Sequence, residues 1–246
     1  MKAIILAAGR GSRLKGFTNN SPKCLNEVNG RPMLEWQIAA LKAGGVSSIV
    51  IVTGYKAPML EKYNAKTIKN ENWETTNMVS SLLCASEEFN QALIVSYSDI
   101  LYSTDVISSL CKQNKDAVIV YDTNWKELWE ARFDEPLNDA ESFTVDQAGY
   151  ITDIGRKVTQ IKDIQGQYLG LMLYSPAALS WIKDLISCGK YNIDKMDMTT
   201  LIRLLINGGY PISSMAIHGG WCEIDTPTDL VLANHLYAEG RLKLDV

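Results

Sequence analysis

The sequence predicts an α/β fold, a single-domain Rossmann-like sheet that is mostly parallel and flanked by helices, with an inserted antiparallel lobe. Three observations point there. Residues Lys2 to Ala8 are almost continuously apolar, as a strand covered on both faces requires. Strand-like and helix-like stretches then alternate as far as Tyr121, the rhythm that builds a parallel sheet through crossover helices. After Asp122 the rhythm gives way to a tryptophan-rich charged segment and short strand-like pieces.

Each element has a local reason. The first strand feeds a Gly/Arg/Ser/Pro-rich loop that lasts to about Arg31. Pro32 opens an apolar-periodic helix through Leu41, because a helix's first turn has no use for the N–H that proline lacks. Gly44 and Gly45 stop it, and Ser48 to Thr53 reads as a second buried strand, closing one βαβ unit. The alternation continues with a helix at Pro58 to Tyr63, a strand at Lys66 to Lys69, a helix at Thr76 to Glu88 and a strand at Ala92 to Tyr97. A helix at Thr104 to Lys112 and a strand at Ala117 to Tyr121 complete the first part, residues 1 to about 122.

In the second part, about 123 to 246, the segment Asn124 to Asp139 precedes strand-like pieces at Phe143 to Val145, Tyr150 to Ile154 and Tyr168 to Tyr174, read together as the antiparallel insertion. Helices at Pro176 to Ser187 and Met198 to Asn207 follow, then a strand at Ile212 to Ile217. The last helix starts with Thr226 as N-cap, Pro227 at the first helical position and Asp229 at the third. No internal repeat or low-complexity tract occurs.

Composition narrows the class. A chain of 246 residues that is 46% hydrophobic and 21% charged can bury one full core. Its formal net charge of -4 argues against a nucleic-acid binder, while a local basic cleft remains compatible with small polyphosphates. The five cysteines are odd in number and never form a C-x-x-C pair, so neither a disulfide framework nor a zinc site is expected, and a reducing cytoplasm fits. The first apolar run is short and ends at glycine, which reads as a core strand rather than a signal or membrane segment. His218 beside a Gly-Gly turn and His235 in the terminal helix have no nucleophile or acid near them in sequence.

The most informative segment is Leu6-Ala7-Ala8-Gly9-Arg10-Gly11-Ser12-Arg13-Leu14, followed by Ser21-Pro22-Lys23. Glycines at a strand end leave backbone N–H groups bare, a geometry that cradles phosphates. Arg13 and Lys23 would add charge to the same pocket and stabilise the negative charge developing at an attacked phosphorus. Leu14 stands where a third glycine would complete a dinucleotide fingerprint, and no G-K-[ST] completes a P-loop. Two acidic segments complement the loop. In Tyr97-Ser98-Asp99-Ile100 an aspartate ends a buried strand, where open sheets bind ligands. In Trp221-Cys222-Glu223-Ile224-Asp225 two carboxylates lie two apart in an extended piece and share one side.

With these residues in place, the sequence resembles the nucleotidyltransferase family of sugar-nucleotide pyrophosphorylases, whose signature is L-A-A-G-x-G-x-R-L with P-K downstream, over residues 3 to 23. The resemblance implies transfer of a nucleoside monophosphate from an NTP to a small phosphorylated acceptor, with Leu6, Ala7, Ala8, Gly9, Gly11 and Ser98 holding nucleotide and Arg13 and Lys23 catalysing. It also implies Mg²⁺ on Asp99 and Asp225, with Glu223 as a supporting or alternative ligand. Hard carboxylate oxygens suit that ion. The plain alternatives are a turn aspartate for Asp99 and, for Asp225, a residue supporting the following helix.

The rest of the chain is similar to the smaller branch of that family that contains phosphocholine and related cytidylyltransferases, through Glu74-Thr75-Thr76-Asn77-Met78, Asn124-Trp125-Lys126-Glu127-Leu128-Trp129 with Arg132, and Trp221 to Asp225. Members that activate amino-acid-derived phosphoryl compounds for capsule decoration look similar through Trp125 to Ser142. This implies CTP as donor, Asn77 at the base and an acceptor lobe with Trp125, Glu127, Trp129, Arg132 and Lys157. Asn77 is equally readable as a helix N-cap. The tryptophans, four apart, would share a helix face and could as well serve packing. A sugar-1-phosphate nucleotidyltransferase and a catalytically inactive regulatory subunit are the rival readings, and a homo-oligomer stays open.

Overall fold

The computed structural model describes residues 1–245. In chain order, β1 (Lys2–Ala7) leads through the glycine loop to a short ribbon, β2 (Glu27–Val28) and β3 (Arg31–Pro32), and to α1 (Met33–Ala43). Then come β4 (Ser48–Thr53), β5 (Lys66–Lys69), α2 (Met78–Cys84), β6 (Leu93–Tyr97), β7 (Ile100–Leu101), α3 (Thr104–Cys111) and β8 (Ala117–Asp122). The second part supplies α4 (Trp125–Arg132), β9 (Glu141–Val145), β10 (Ile151–Lys157) and β11 (Gln167–Tyr174). It ends with α5 (Pro176–Ser187), α6 (Met198–Asn207), β12 (Ser213–Ile217), β13 (Cys222–Glu223) and α7 (Pro227–Ala238).

The central sheet has seven strands in the order β12-β8-β11-β6-β1-β4-β5. β11 alone runs antiparallel to its neighbours, β6 and β8. Alternate residues of β1 serve two cores, which is why the strand is apolar throughout. Ala3, Ile5 and Ala7 pack with α1, α3 and α7 through Leu34, Ile107 and Leu236, and Ile4 and Leu6 pack with α2, α5 and α6 through Leu82, Ile182 and Leu201. Each fully buried side chain of the size of Ile4 or Ile5 contributes about 1.5–3 kcal/mol.

The antiparallel insertion differs from expectation in one strand. β9 and β10 form a separate antiparallel pair, but the third piece, β11, enters the main sheet. Its run Leu169 to Tyr174 is buried along its whole length, and only a strand covered on both faces can bury such a run. Gly170, at φ 85°, makes the insertion fit, because a Cβ there would stand 2.5 Å from the Tyr97 ring.

Three helix boundaries also move. Pro32 pairs with Glu27 across the ribbon and so caps α1 from an extended conformation instead of opening it. The stretch from Pro58 is a single 3₁₀ turn, Ala57–Leu60. The helix read from Thr76 starts at Met78, capped by Asn77, and ends at Cys84 before a separate turn at Ser86–Glu88. Thr226 and Asp229 form a reciprocal capping box around Pro227, as their spacing required.

The fold carries the functional ends of the chain to one edge of the sheet. β1 and β6 are parallel neighbours, so the glycine loop and Asp99 emerge side by side. β13 pairs with β7, Cys222 opposite Leu101 and Glu223 opposite Ile100, and the Ile224 N–H donates to the Asp99 carbonyl at 2.9 Å. That short ladder joins the two acidic segments.

Candidate active site

The glycine loop winds through 3₁₀ turns over Ser12–Thr18, with Gly11 in the left-handed region at φ 69°. A Cβ on Gly11 would stand 2.6 Å from Lys23 Cδ, so the glycine leaves the path along which the lysine reaches inward. Leu6, Ala8, Gly9 and Gly11 line a compartment of about 220 Å³ together with Arg13, Lys23, Ser98 and Asp99. Trp73, Thr76, Asn77, Met78 and Ser81 close its other side. Ala7 points into the core.

At the floor, Lys23 Nζ lies 2.6 Å from Asp99 Oδ2 and 2.5 Å from Asp225 Oδ1, and the exposed Arg13 reaches the same Asp225 oxygen at 2.8 Å. Burial would push the Lys23 ammonium down, but the two carboxylates outweigh it and its pKa rises. Burial likewise opposes the charge on Asp225, and Lys23, Arg13 and Arg132 reverse it, so its pKa falls. Glu223, pressed by burial and then by Asp225, is pushed up to about 7 despite Arg132. Asp99, Glu223 and Asp225 present carboxylate oxygens within 4.8 Å of one another. Asp99 Oδ1 is buried without a hydrogen-bond partner.

A second compartment, about 320 Å³, shares Arg13, Asn77, Met78 and Asp225 with the first. Its walls are Tyr97, Tyr168, Trp129, Gln167, Glu223 and three further carboxylates, Asp139, Glu141 and Asp197. Tyr97 and Tyr168 meet edge to face at 5.7 Å, and the Trp129 indole N–H donates to Asp139 at 3.1 Å. The space therefore has aromatic walls and a negative lining.

Of the residues expected at the acceptor, Trp129 lines this compartment and the others lie elsewhere. Arg132 is a correction: its side chain is fully buried and donates to Glu223 at 2.8 Å and Asp229 at 3.0 Å, with Asp225 at 3.5 Å. The Trp129 and Phe133 rings lie 5.1 and 4.9 Å from its guanidinium, and it braces the acidic segment through these ion pairs. Glu127 is a second correction. It is two residues from both tryptophans, which turns it to the opposite face of α4, where it is exposed and pairs with Arg241 and Asn124. Trp125 is buried in the core and stacks edge-on with Trp129 at 6.1 Å. Lys157 stands exposed at the end of β10, opposite Glu141, and is not among the residues lining the compartment.

Asn77 lines both compartments, and its Oδ1 accepts from the Met78 N–H at 2.7 Å, realising the cap. Sequence reasoning missed Trp73, Asp139, Glu141, Gln167, Tyr168 and Asp197. Their signal was weak because they are scattered over several elements, and only Gln167 and Tyr168, both on β11, are neighbours in sequence.

The chain is similar to several known proteins. The family model described as MobA-like NTP transferase domain matches residues 3–190. A CTP:phosphoglutamine cytidylyltransferase from Campylobacter jejuni is 36% identical over 249 aligned positions, covering 94% of this chain and 98% of that protein. A choline-phosphate cytidylyltransferase from Streptococcus pneumoniae is 38% identical over 106 residues, 42% of this chain and 46% of the relative. Among solved structures, a CTP:phosphocholine cytidylyltransferase from Streptococcus pneumoniae superposes with a TM-score of 0.71 at 23% identity, covering 96% of this chain and 98% of that one. An inositol-1-phosphate CTP transferase from T. maritima gives 0.76 at 19% identity, covering 97% and 95%. At these identities the structural likenesses speak to the fold alone.

Proposed function

The chain belongs to the family of MobA-like NTP transferase domains, and we propose that it transfers CMP from CTP to a small phosphorylated amine or amino acid, releasing pyrophosphate. The observation that carries this reading is the pair of contiguous compartments meeting at Arg13, Asn77 and Asp225, one walled by the glycine loop and Lys23 and the other by aromatic and acidic side chains. Cytidylyl transfer is supported by the full-length similarity to the Campylobacter jejuni relative.

In the reaction, an oxygen of the acceptor's phosphoryl group attacks the α-phosphorus of the nucleotide in line. The new O–P bond forms as the bond to the β-phosphate's bridging oxygen breaks, and that oxygen's electrons leave with pyrophosphate. The acceptor oxygen is already ionised, so no side chain has to remove a proton. What the chain supplies is position and charge. Gly9 and Gly11 line the compartment that would take the phosphates, where Lys23 and Arg13 would offset charge at the reacting phosphorus.

Asp99, Asp225 and Glu223 fit a divalent ion, since they offer hard oxygens close together and Asp99 Oδ1 is buried without a partner. Mg²⁺ held there would neutralise phosphate oxygens and tie donor to acceptor. The CDP-linked product is an activated donor of the kind that decoration of a cell-surface polysaccharide consumes. No described helix is long and apolar enough to cross a membrane.

The test is a pyrophosphate-release screen with Mg²⁺, four NTPs against phosphocholine, phosphoethanolamine, 2-aminoethylphosphonate, phosphoglutamine and hexose 1-phosphates. CTP with one of the amines is the expected best pair. A preference for a hexose 1-phosphate would move the reading to NDP-sugar synthesis.

A further inference from the structure

The two aspartates of the site are held in different ways. The Asp225 carboxylate meets Lys23 and Arg13 at one oxygen and Arg132 at the other, and its backbone N–H donates to Asp229 at 3.0 Å. The Asp99 carboxylate has far less. Among the described residues only Lys23 bonds it, through Oδ2, and Oδ1 is buried without a partner. Where Asp99 points is therefore set by the turn that carries it, between the end of β6 at Tyr97 and the start of β7 at Ile100.

One side chain clamps that turn at both ends. Gln37 Nε2 donates to the Tyr97 carbonyl at 2.7 Å and to the Ile100 carbonyl at 2.6 Å, so each hydrogen of its NH2 group has one carbonyl. The opposite orientation of the amide would set its oxygen against two carbonyl oxygens, which fixes the NH2 group toward the turn. Ser96 Oγ adds a bond to the same Tyr97 carbonyl at 2.9 Å.

Gln37 stands where α1 should be apolar. It is 1% exposed and shares the buried face of the helix with Leu34 and Leu41. Its Oε1 is buried without a hydrogen-bond partner, a cost that an apolar side chain of the same length would not carry. Packing alone therefore favours an apolar residue here, and the clamp on the turn is what the amide adds. Gln37 lines neither compartment, so it can act on the site only through that turn.

Resting on the reading that Asp99 and Asp225 hold a divalent ion, we propose that Gln37 is a positioning residue for Asp99. Its two hydrogen bonds fix both ends of the β6–β7 turn and so keep an Asp99 carboxylate oxygen within 4.8 Å of those of Asp225 and Glu223.

The test uses Gln37→Met, which keeps the length and the helix, and Gln37→Glu, which keeps the size and sets an acceptor against both carbonyls. Two quantities are measured for each. One is the affinity for Mn²⁺ of the protein without nucleotide, by electron paramagnetic resonance; the other is the Mg²⁺ concentration that gives half-maximal pyrophosphate release from CTP. Groups that orient a metal's ligands are typically worth 10–100-fold, so Mn²⁺ affinity should fall and the Mg²⁺ requirement rise by about tenfold or more. Leu41→Ala, which removes a buried side chain one turn further along α1, should lower the melting temperature and leave both quantities unmoved. If the Gln37 variants behave as Leu41→Ala does, the role is structural and the proposal is overturned. Should one Gln37 variant not fold, the other decides. If the unmodified protein binds no Mn²⁺, the metal reading falls and the positioning role with it. If it binds Mn²⁺ but releases no pyrophosphate from CTP with any acceptor, the transfer reading falls, while the Mn²⁺ comparison still decides the role of Gln37.

Discussion

The two compartments are built in opposite ways. One side of the first compartment is a single stretch of chain: β1 ends, and within residues 6 to 23 the loop delivers the glycines, Arg13 and Lys23, while the other side comes from separate elements. The second compartment, the acceptor side on the proposed reading, is assembled from α4, β9, β11, α6 and the segment around β13, with about one to four side chains from each. On the proposed reading, the contiguous loop after a buried strand is the fixed cradle that chemistry common to all NTPs needs. Recognition of a particular head group needs walls on several sides, and those come from elements that meet only when the sheet is complete. The junction between them is the β7–β13 ladder, which sets Asp225 beside Asp99 and Lys23.

Breaking the junction should have the largest effect. Lys23→Ala is expected to lower kcat by roughly 10²–10³-fold, the usual loss when a positioned donor is taken from a developing oxyanion. It also leaves Asp99 and Asp225 facing each other without their shared cation, so the melting temperature should fall and Mg²⁺ should recover part of it. Turnover like the original enzyme's would separate the loop from catalysis.

Removing one carboxylate charge tests the other half of the junction. Asp99→Asn and Asp225→Asn are each expected to lose most activity at limiting Mg²⁺, and to regain some as the ion is raised. Steady-state rates over a magnesium titration read this directly. Unchanged rates at the lowest magnesium would return that residue to a structural role.

The next comparison is between the two tryptophans of α4. Trp129→Ala should raise the KM for the acceptor with little change in the KM for CTP, because its ring lines the second compartment. Trp125→Ala should instead destabilise the fold by about 3–5 kcal/mol, seen in denaturant melts, with acceptor selectivity preserved. Equal kinetic effects from both would erase the distinction between wall and core.

Glu127→Gln should do least. The side chain is exposed and pairs with Arg241 away from the cleft, so kcat/KM for each acceptor should stay within about twofold. A selective loss of amine acceptors would place this residue back at the head group.

What could be read from residues alone follows chain contiguity. The apolar run of β1 and the Thr226-Pro227-Asp229 cap act through neighbours a few positions away, and the structure has each in the expected form. Asp99 and Asp225 were legible too, through a strand end and an extended acidic pair, although their meeting needed the β7–β13 ladder. Arg132 shows the limit. Its charge and nearby tryptophans suggested a ligand contact, yet burial among Glu223, Asp225 and Asp229 was decided by residues more than ninety positions away.

The sequence by itself determined the layered α/β plan, the glycine-rich loop after β1 and the acidic ends of two segments, because hydrophobic period, glycine freedom and capping are local properties of the chain. Tertiary structure alone decided that β11 would thread antiparallel into the main sheet, that Glu127 would turn outward, and that Asp139, Glu141 and Asp197 would converge on one cavity. The physical reason is that these outcomes depend on which surfaces the packed elements leave for one another. Such convergence has no period or spacing to leave in the sequence.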